Sequence, residues 1–212
     1  MVRGQSPEYQ ELWPSAELAV ADARSIDDLR GALEGVHTAY YLIHSLLLGR
    51  KEFEAADVQA AINFRKAAEA QGVKRIIYLG GLGDMRTKLS SHLRGRMRVA
   101  EELRQGSTPV TILRAAIIIG SGSASYEIIK HLMNHLLIVP VPPWARNRCQ
   151  PIAVRDVIKY LVGVLEIPET AGKSFDIGGS DVLTYENMLR MHAEVLFKKR
   201  IFLRMPWASI RR

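Results

Sequence analysis

The chain has 212 residues, of which 48% are apolar and 24% are charged, with a formal net charge of +7 and a single cysteine, Cys149. This composition excludes a disordered chain, and one cysteine excludes an internal disulfide, so we expect a globular protein of a reducing compartment and predict a cytoplasmic location. Arg3, Glu8 and Glu11 interrupt any secretory signal at the start, and no uncharged stretch reaches the roughly 18 residues that a membrane helix requires.

The positive charge is concentrated at one end of the chain. Six of the seven net charges come from residues 198–212, which contain no acid, so residues 1–197 are nearly neutral. We therefore divide the chain into a domain over 1–197 and a basic tail over 198–212, and we expect no nucleic-acid partner. A solvated end is one interpretation of the tail. The other is a surface for an anionic partner, with residues 201–203 and Trp207 at a membrane interface.

The first half of the chain predicts strands that alternate with helices. Residues 1–15 lack any sustained period and are expected to be irregular. Short apolar runs indicate strands, and capping residues with helical periodicity indicate helices. In chain order we predict a strand over 18–21 ending at Asp22, a helix that Ser25 caps and Gly35 ends, a strand over 37–43 ending at His44 and Ser45, and an alanine-rich helix over 53–71 followed by Gly72.

Residues 73–83 form the stretch around which the other elements are arranged. Residues 76–79 are an unbroken apolar run that is too short for a helix, and three glycines among the next four residues are expected to end it. This pattern predicts a buried parallel strand followed by a loop where the backbone can approach a ligand closely. Ligands of open α/β sheets bind at the carboxyl ends of such strands.

The second half continues the alternation of strands and helices. We predict helices over 91–104, 125–137, 156–165 and 185–197, the second closed by Pro140, Pro142 and Pro143 and the last capped by Thr184, and strands or extended segments over 110–114, 115–122, 150–154 and 173–177. Alternation of this kind is typical of right-handed βαβ crossovers. The predicted fold is therefore α/β and Rossmann-like, with a mainly parallel sheet that carries helices on both faces.

The order of five motifs resembles the atypical short-chain dehydrogenase/reductase family, in particular its NmrA-like members and the related complex I accessory subunit. The resemblance covers residues 16–197 and is carried by the segments Val-Ala-Asp at 20–22, Ala-Tyr-Tyr-Leu-Ile-His-Ser at 39–45, Gly-Val-Lys-Arg-Ile-Ile-Tyr-Leu-Gly-Gly-Leu-Gly at 72–83, Thr-Ile-Leu-Arg at 111–114 and Gln-Pro-Ile-Ala-Val-Arg-Asp-Val at 150–157.

The resemblance implies binding of NAD or NADP, with elements on the substrate side over about residues 120–197. Family members hold the pyrophosphate on a glycine-rich turn after their first strand, and this sequence contains no such turn. Residues 1–4 resemble the end of the family's second strand, so the first two strands are expected to be missing and the sheet to be split or re-paired. Either the Gly-rich segment is encoded upstream of Met1, or the domain is naturally shortened and rearranged.

The sequence departs from the family at the catalytic residues. Active relatives place Ser or Thr just past the strand that corresponds to 76–79, and a Tyr-x-x-x-Lys on the next helix. Here Gly80 or Gly81 stands at the Ser position, and His92 to Arg96 fills the Tyr-x-x-x-Lys positions. His92 as proton donor and Arg96 as a group that lowers its pKa and binds ribose or phosphate form the catalytic hypothesis. The alternative is a solvated basic helix.

The resemblance places six residues at the cofactor. Asp22 corresponds to the residue that binds the adenine amino group, with a turn-forming role as its alternative. His44, Ser45, Gly80, Gly81 and Arg114 follow strands whose ends face the nicotinamide side. His44 can equally be satisfied by backbone, and Arg114 by a structural ion pair. Arg3 is a weaker candidate for a 2′-phosphate.

Metal and thiol chemistry are not predicted. His131 and His135 lie four residues apart on a helix without nearby acids, which is more typical of surface or core histidines than of a metal site. Cys149 has no base partner in the sequence and is interpreted as a passive thiol.

Two functions follow from these patterns. The first is an NAD(P)-dependent oxidoreductase that acts on a small carbonyl or alcohol substrate. The second is a non-catalytic dinucleotide-binding sensor or assembly module, which the altered Ser and Tyr-x-x-x-Lys positions favour. The expected partners are a dinucleotide and a small-molecule substrate.

Overall fold

A computed structural model of the chain describes residues 1, 2, 4, 7–43, 50–83 and 90–205, without the side chains of 7, 50–54, 91, 92 and 124. The α-helices are α1 (Pro7–Leu12), α2 (Ile26–Ala32), α3 (Arg50–Ala70), α4 (Ser91–Arg104), α5 (Ala124–His135), α6 (Val154–Glu166) and α7 (Tyr185–Val195). The strands are β1 (Thr38–Tyr41), β2 (Arg75–Gly81), β3 (Val110–Ala115), β4 (Ile118–Ile119), β5 (Ile138–Val141), β6 (Arg148–Cys149), β7 (Ile152–Ala153), β8 (Ser174–Ile177), β9 (Leu183–Thr184) and β10 (Ile201–Arg204).

The predicted α/β, Rossmann-like fold is confirmed. Strands β1, β2, β3 and β8 form a four-stranded sheet in that order, and β1 pairs parallel with β2 so that Tyr41 lies opposite Tyr78. The central sheet is mainly parallel, and it is accompanied by helices. Strands β1, β2 and β3 are consecutive in the chain and lie side by side, as βαβ connections favour, whereas β8 joins the sheet from much later in the chain.

The chain divides into two compact units, which are described separately. Unit 1 comprises residues 1–114 and 161–176, and unit 2 comprises residues 115–160 and 177–212. Unit 1 holds the four-stranded sheet together with helices α2, α3 and α4. Unit 2 contains α5, α7 and three two-stranded ribbons, which are β10 with β5, β4 with β7 and β6 with β9.

The core of unit 1 explains why the stretch at 73–83 is so apolar. Ile76, Ile77 and Tyr78 are fully buried, and Ile76 and Tyr78 join a cluster with alanines of α3 and with Val99 and Leu103 of α4. The small alanine side chains allow α3 to pack closely on its neighbours. Gly72 follows α3 with φ of 69°, a left-handed conformation that glycine adopts at little cost.

A buried arginine also stabilises unit 1. Arg75, the first residue of β2, donates from Nη2 to Thr111 Oγ1 at 2.7 Å and to the hydroxyl of Thr170, and from Nη1 to the carbonyl of Ile167 at 3.4 Å. Thr111 donates to the carbonyl of Thr170 at 2.9 Å. Burial lowers the pKa of the Arg75 guanidinium. These hydrogen bonds link β2 and β3 to residues 167–170. An apolar residue at position 75 could not form them.

The first residues pair as the resemblance implies. Val2 forms a parallel bridge with Val20, in which the N–H of Val2 donates to the carbonyl of Ala19 at 2.9 Å and the N–H of Ala21 donates to the carbonyl of Val2 at 3.0 Å. This bridge lies outside the four-stranded sheet, in which β1 is an edge strand. Of the two expected outcomes, the split sheet is therefore the one observed among the described residues.

Several local predictions were wrong. Residues 7–12 form α1 rather than an irregular segment. Gly80 and Gly81 are the last two residues of β2 rather than the start of the loop that follows it. No strand was predicted at residues 138–141 or, within the basic tail, at residues 201–204; they form β5 and β10 because they pair in parallel across some sixty intervening residues. Phe202 points inward and packs on the core of unit 2, whereas Ile201 and Leu203 are exposed.

Within the described ranges, no helix combines the length and the apolarity needed to cross a membrane.

Candidate functional site

The carboxyl ends of the strands of unit 1 define the candidate site. In a mainly parallel sheet these ends lie at the same edge. Tyr41 ends β1, Gly80 and Gly81 end β2, and Arg114 lies one residue before the end of β3. The structure therefore brings Gly80, Gly81 and Arg114 to one edge of the sheet, as their positions after apolar runs predicted.

Tyr78 ties this edge to helix α4. Its hydroxyl donates to the backbone carbonyl of Arg96 at 3.1 Å, and its ring packs edge-on against Tyr41 with the centroids 5.7 Å apart. The phenol is buried, and burial raises its pKa above the ordinary value. Tyr78 is consequently neutral at physiological pH and acts as a fixed donor between β2 and α4.

The space beside Gly80 is occupied by this ring. A Cβ atom built on Gly80 would lie 2.9 Å from Cε1 of Tyr78, and one built on Gly81 would lie 2.9 Å from Cδ2 of Leu93. The end of a leucine side chain can shift, but the Tyr78 ring is held by its hydrogen bond and by Tyr41. A seryl group at Gly80, one of the two positions where the resemblance expects the catalytic hydroxyl, would therefore require the buried ring to move.

Helix α4 supplies the second side of the site. Ser90 caps it, with Oγ accepting from the N–H of Leu93 at 3.3 Å, so the helix begins where the sequence predicted. A cavity of about 310 Å³ lies between α4 and the sheet of unit 1. Residues of β2 and α4 line it together with side chains of β3 and β8, namely Tyr78, Gly80, Gly81, Arg96, Met97, Ala100, Glu101, Arg104, Ile112, Arg114 and Ser174.

The cations of this cavity differ in their partners. Arg114 donates from Nε to the Asp176 carboxylate at 2.6 Å. This contact is the structural ion pair that was the alternative to a cofactor role for Arg114. Arg104 donates to the hydroxyl of Ser174. Arg96 lines the cavity with its side chain and contributes its backbone carbonyl to Tyr78. Three arginines line the cavity against one carboxylate, that of Glu101, and this excess of positive charge favours an anionic ligand group.

Asp22 lies in a turn that is held at several points. Its carboxylate accepts from the Arg24 guanidinium at 2.7 Å, and its N–H donates to Asp28 at 3.0 Å. The amide of Asn63 on α3 donates to the carbonyl of Arg24 at 2.9 Å and to that of Ala23 at 3.3 Å. The side chain of Asp22 is 40% exposed. Asp22 therefore stabilises the turn, and its carboxylate is also accessible to a ligand.

Two buried polar groups at this edge escaped the sequence reasoning. Asp57 of α3 is 4% exposed, and among the described residues neither its Oδ1 nor the buried hydroxyl of Tyr41 has a hydrogen-bond partner. Burial, with the Asp57 charge as the next cause, raises the pKa of Tyr41. The signal was available, because Asp57 shares the helical spacing of the buried residues Ala60, Ala61 and Phe64.

Four further predictions lie outside the described atoms. His44, Ser45 and Arg3 are not among the described residues, and His92 is described only by its backbone in α4. The roles proposed for these residues stay predictions.

For His131, His135 and Cys149 no metal or thiol chemistry was expected, and this stays a prediction. The rings of His131 and His135 stack with centroids 4.2 Å apart, and no group of three or more potential metal ligands occurs in the described part of the chain. Burial raises the pKa of the Cys149 thiol, which makes the reactive thiolate less available.

Comparison with known proteins supports the resemblance. No family model matches the chain. The mitochondrial subunit 9 of the NADH dehydrogenase [ubiquinone] 1 alpha subcomplex of Mus musculus is 26% identical over 162 residues, which cover 74% of this chain. The match spans 42% of the length of that relative.

Solved structures share the fold. A nucleoside-diphosphate-sugar epimerase from Staphylococcus aureus superposes with a TM-score of 0.77 at 19% identity, covering 96% of this chain and 69% of that chain. A short-chain dehydrogenase/reductase superfamily protein from Agrobacterium tumefaciens, solved with bound NAD, superposes with a TM-score of 0.73 at 17% identity, covering 92% of this chain and 76% of that chain. The complex I subunit thus confirms the predicted resemblance in sequence, and the solved structures confirm it in fold.

Proposed function

We propose that this chain is a dinucleotide-binding protein that holds NAD or NADP at the carboxyl edge of the unit 1 sheet without catalysing hydride transfer. The observation that carries the proposal is the Tyr78 ring, which lies where a hydroxyl side chain at Gly80 would stand. The NAD-bound Agrobacterium tumefaciens neighbour with the same fold supports the binding half of the proposal.

The described residues fit two parts of such a cofactor. Asp22 offers a reachable carboxylate in a fixed turn for an adenine amino group, and Arg96 and Arg114 offer cations for phosphate or ribose near Gly81. The pyrophosphate has no glycine-rich turn in this sequence, so the chain does not fit that part of the cofactor. The residues described here would bind and orient the cofactor.

Tyr78 and Arg96 favour binding over turnover for an electrostatic reason. A proton donor in a carbonyl reduction must exchange its proton near neutral pH. The Tyr78 phenol cannot, because burial raises its pKa and its proton is engaged by the Arg96 carbonyl. Among the described side chains of β2 and α4, no hydroxyl group can therefore act as the proton donor.

An oxidoreductase acting on a small carbonyl or alcohol is the second candidate function. It is favoured by the spacing of His92 and Arg96, which lie one helical turn apart on α4, with Arg96 lining the cavity. His92 would donate the proton and Arg96 would hold the anionic part of the cofactor or substrate.

Calorimetric titration of the chain with NAD, NADH, NADP and NADPH tests the binding proposal. We expect saturable binding of at least one dinucleotide, weakened about tenfold in Asp22→Asn because a charge-assisted hydrogen bond is lost. Asp27→Asn is the matched control, since Asp27 is an exposed carboxylate that pairs with Arg30 on the same helix. Failure to bind any of the four, or equal effects of the two variants, would contradict the proposal.

Absorbance assays of NADH and NADPH oxidation with a panel of small carbonyl compounds separate the two candidate functions. The proposal expects no turnover by the wild-type chain under conditions where the dinucleotide is bound. Turnover that is lost in His92→Ala but retained in Arg94→Ala would instead establish the oxidoreductase.

A further inference from the structure

Two neighbouring turns of unit 2 form a surface that we call the apolar tip, comprising residues 134–138 after α5 and residues 195–201 after α7. Hydrogen bonds join the turns. Lys198 Nζ donates to Asn134 Oδ1 at 2.6 Å, the Arg200 guanidinium donates to the carbonyl of Met133 at 2.7 Å, and the N–H of Ile201 donates to the carbonyl of Leu137 at 3.0 Å. The tip is thus one connected structural feature.

Large apolar side chains of the tip face solvent. The exposed fractions are 97% for Phe197, 72% for Val195, 64% for Leu137, 59% for Ile201 and 53% for Ile138. Ile138 and Ile201 lie opposite one another in the β5–β10 ribbon, so they contribute to the same surface. Single exposed apolar residues are ordinary, but five on two adjoining turns form a patch that indicates an interaction surface.

Phe197 occupies its position against its backbone preference. It has φ of 53° and is the only residue other than glycine with positive φ among the described residues. Its N–H donates to the carbonyl of Glu194 and the N–H of Lys198 donates to that of Ala193, each at 2.9 Å, so it ends α7 where glycine is the usual residue. Because its ring packs on almost nothing, no gain within the fold offsets this strain, and the residue is better explained by a contact outside the chain.

The charges around the patch are mainly positive. Lys198, Lys199 and Arg200 directly follow Phe197, and His135 ends α5 beside the tip. Glu194 is the acid within α7 that adjoins the tip. An apolar centre with a cationic margin is complementary to a bilayer surface, where acyl chains lie beneath anionic headgroups.

We propose that the apolar tip docks on a membrane surface that contains anionic phospholipid. Phe197, Leu137 and Ile201 would enter the headgroup and acyl boundary, while Lys198 and Lys199 would lie at the phosphates. Docking of a second copy of the chain through the same patch is disfavoured, because it would bring two sets of like charges together. The proposal is independent of dinucleotide binding and concerns a peripheral contact.

Co-sedimentation of the full chain with vesicles tests this inference. We expect binding to phosphatidylcholine vesicles that contain phosphatidylserine, weaker binding to phosphatidylcholine alone, and a decrease as salt is added. Phe197→Ser is expected to weaken binding about tenfold or more, through the loss of its apolar contact. Lys198→Gln with Lys199→Gln is expected to abolish the preference for phosphatidylserine.

Two controls keep the result interpretable. Val182→Ser removes an apolar side chain of unit 2 that is exposed to 60% but lies outside the tip, and it should bind as the wild type does. Phe197→Gly removes the ring while placing a residue suited to φ of 53°, so its loss of binding cannot result from unfolding.

Several outcomes would overturn the proposal. These are no vesicle binding, equal binding to both vesicle types, equal effects of Val182→Ser and Phe197→Ser, or binding that disappears on removal of residues 206–212 while Phe197→Ser has no effect. A dimer in light scattering that Phe197→Ser dissociates would assign the tip to self-association instead.

Discussion

The two units of this chain bury their apolar residues in different ways. Unit 1 surrounds a four-stranded sheet with helices, and its strand β2 is buried over its first four residues. Unit 2 relies on two-stranded ribbons, and one of them, β5 with β10, carries exposed Ile138, Ile201 and Leu203.

The difference follows from strand number. Inner strands of a four-stranded sheet pair on both edges and can be covered on both faces, so apolar runs such as residues 76–79 disappear from solvent. Two strands offer too little surface for a core of their own and depend on one helix-packed face. In unit 2 that face contains Val139 of β5 and Phe202 of β10, which pack against residues of α5 and α7. The other face of the ribbon is exposed.

The largest expected effect compares a leucine of each unit. Leu103→Ala in α4 of unit 1 should lower the free energy of unfolding by about 2–5 kcal/mol, because a fully buried side chain is lost and a cavity remains. Leu137→Ala, whose leucine is exposed in unit 2, should change it by less than about 0.5 kcal/mol. Urea unfolding followed by circular dichroism measures both. Equal losses would contradict the contrast between the units.

A buried carboxylate gives unit 2 its own pH dependence. Glu186 accepts from Arg190 at 2.8 Å and from Arg204 at 3.3 Å, and these hydrogen bonds, first that of Arg190, lower the pKa of the carboxyl. Its stabilisation is fully present above the ordinary glutamate pKa of about 4.3 and is lost as the pH falls through the lower folded value.

Glu186→Gln should therefore cost about 1–2 kcal/mol at pH 7, since charge-assisted hydrogen bonds are weakened. The difference from the wild type should vanish in acid below the folded pKa. Unfolding in urea between pH 7 and pH 3 tests this, with the exposed Glu194→Gln on the same helix as control. A difference that stays constant with pH would show that the carboxylate charge contributes nothing.

The smallest effect concerns the strained end of α7. Phe197→Gly should raise the free energy of unfolding by about 1 kcal/mol, because a left-handed conformation costs a non-glycine residue about 1–2 kcal/mol and the greater freedom of glycine when unfolded offsets part of the gain. Val195→Gly, at the exposed last residue of α7, should instead destabilise by about 0.5 kcal/mol. Thermal unfolding distinguishes the two signs.

The sequence predicted those elements whose signals are local. Helix α4 begins and ends at the predicted residues, and Ser25 and Thr184 cap α2 and α7 as expected. Caps, helical periodicity and an apolar run act within a few residues, so they can be recognised without the fold. The motif order that suggested NAD(P)-binding proteins also came from the sequence alone.

Tertiary structure alone decided what depends on residues far apart in the chain. Strand β10 exists because residues 201–204 pair with 138–141, and that pairing turns Phe202 inward and Ile201 outward. No local pattern specifies such a partner.

Residues 73–83 show the same division. Its apolar run determined a buried strand, and its glycines indicated a close approach of backbone and ligand. Only packing placed the Tyr78 ring beside Gly80 and tied it to Arg96, and only packing buried Asp57 and the Tyr41 hydroxyl at the same edge. Side chains at 41, 57, 78 and 96 come from four elements, so their proximity, and with it the chemistry of the site, is a property of the folded chain.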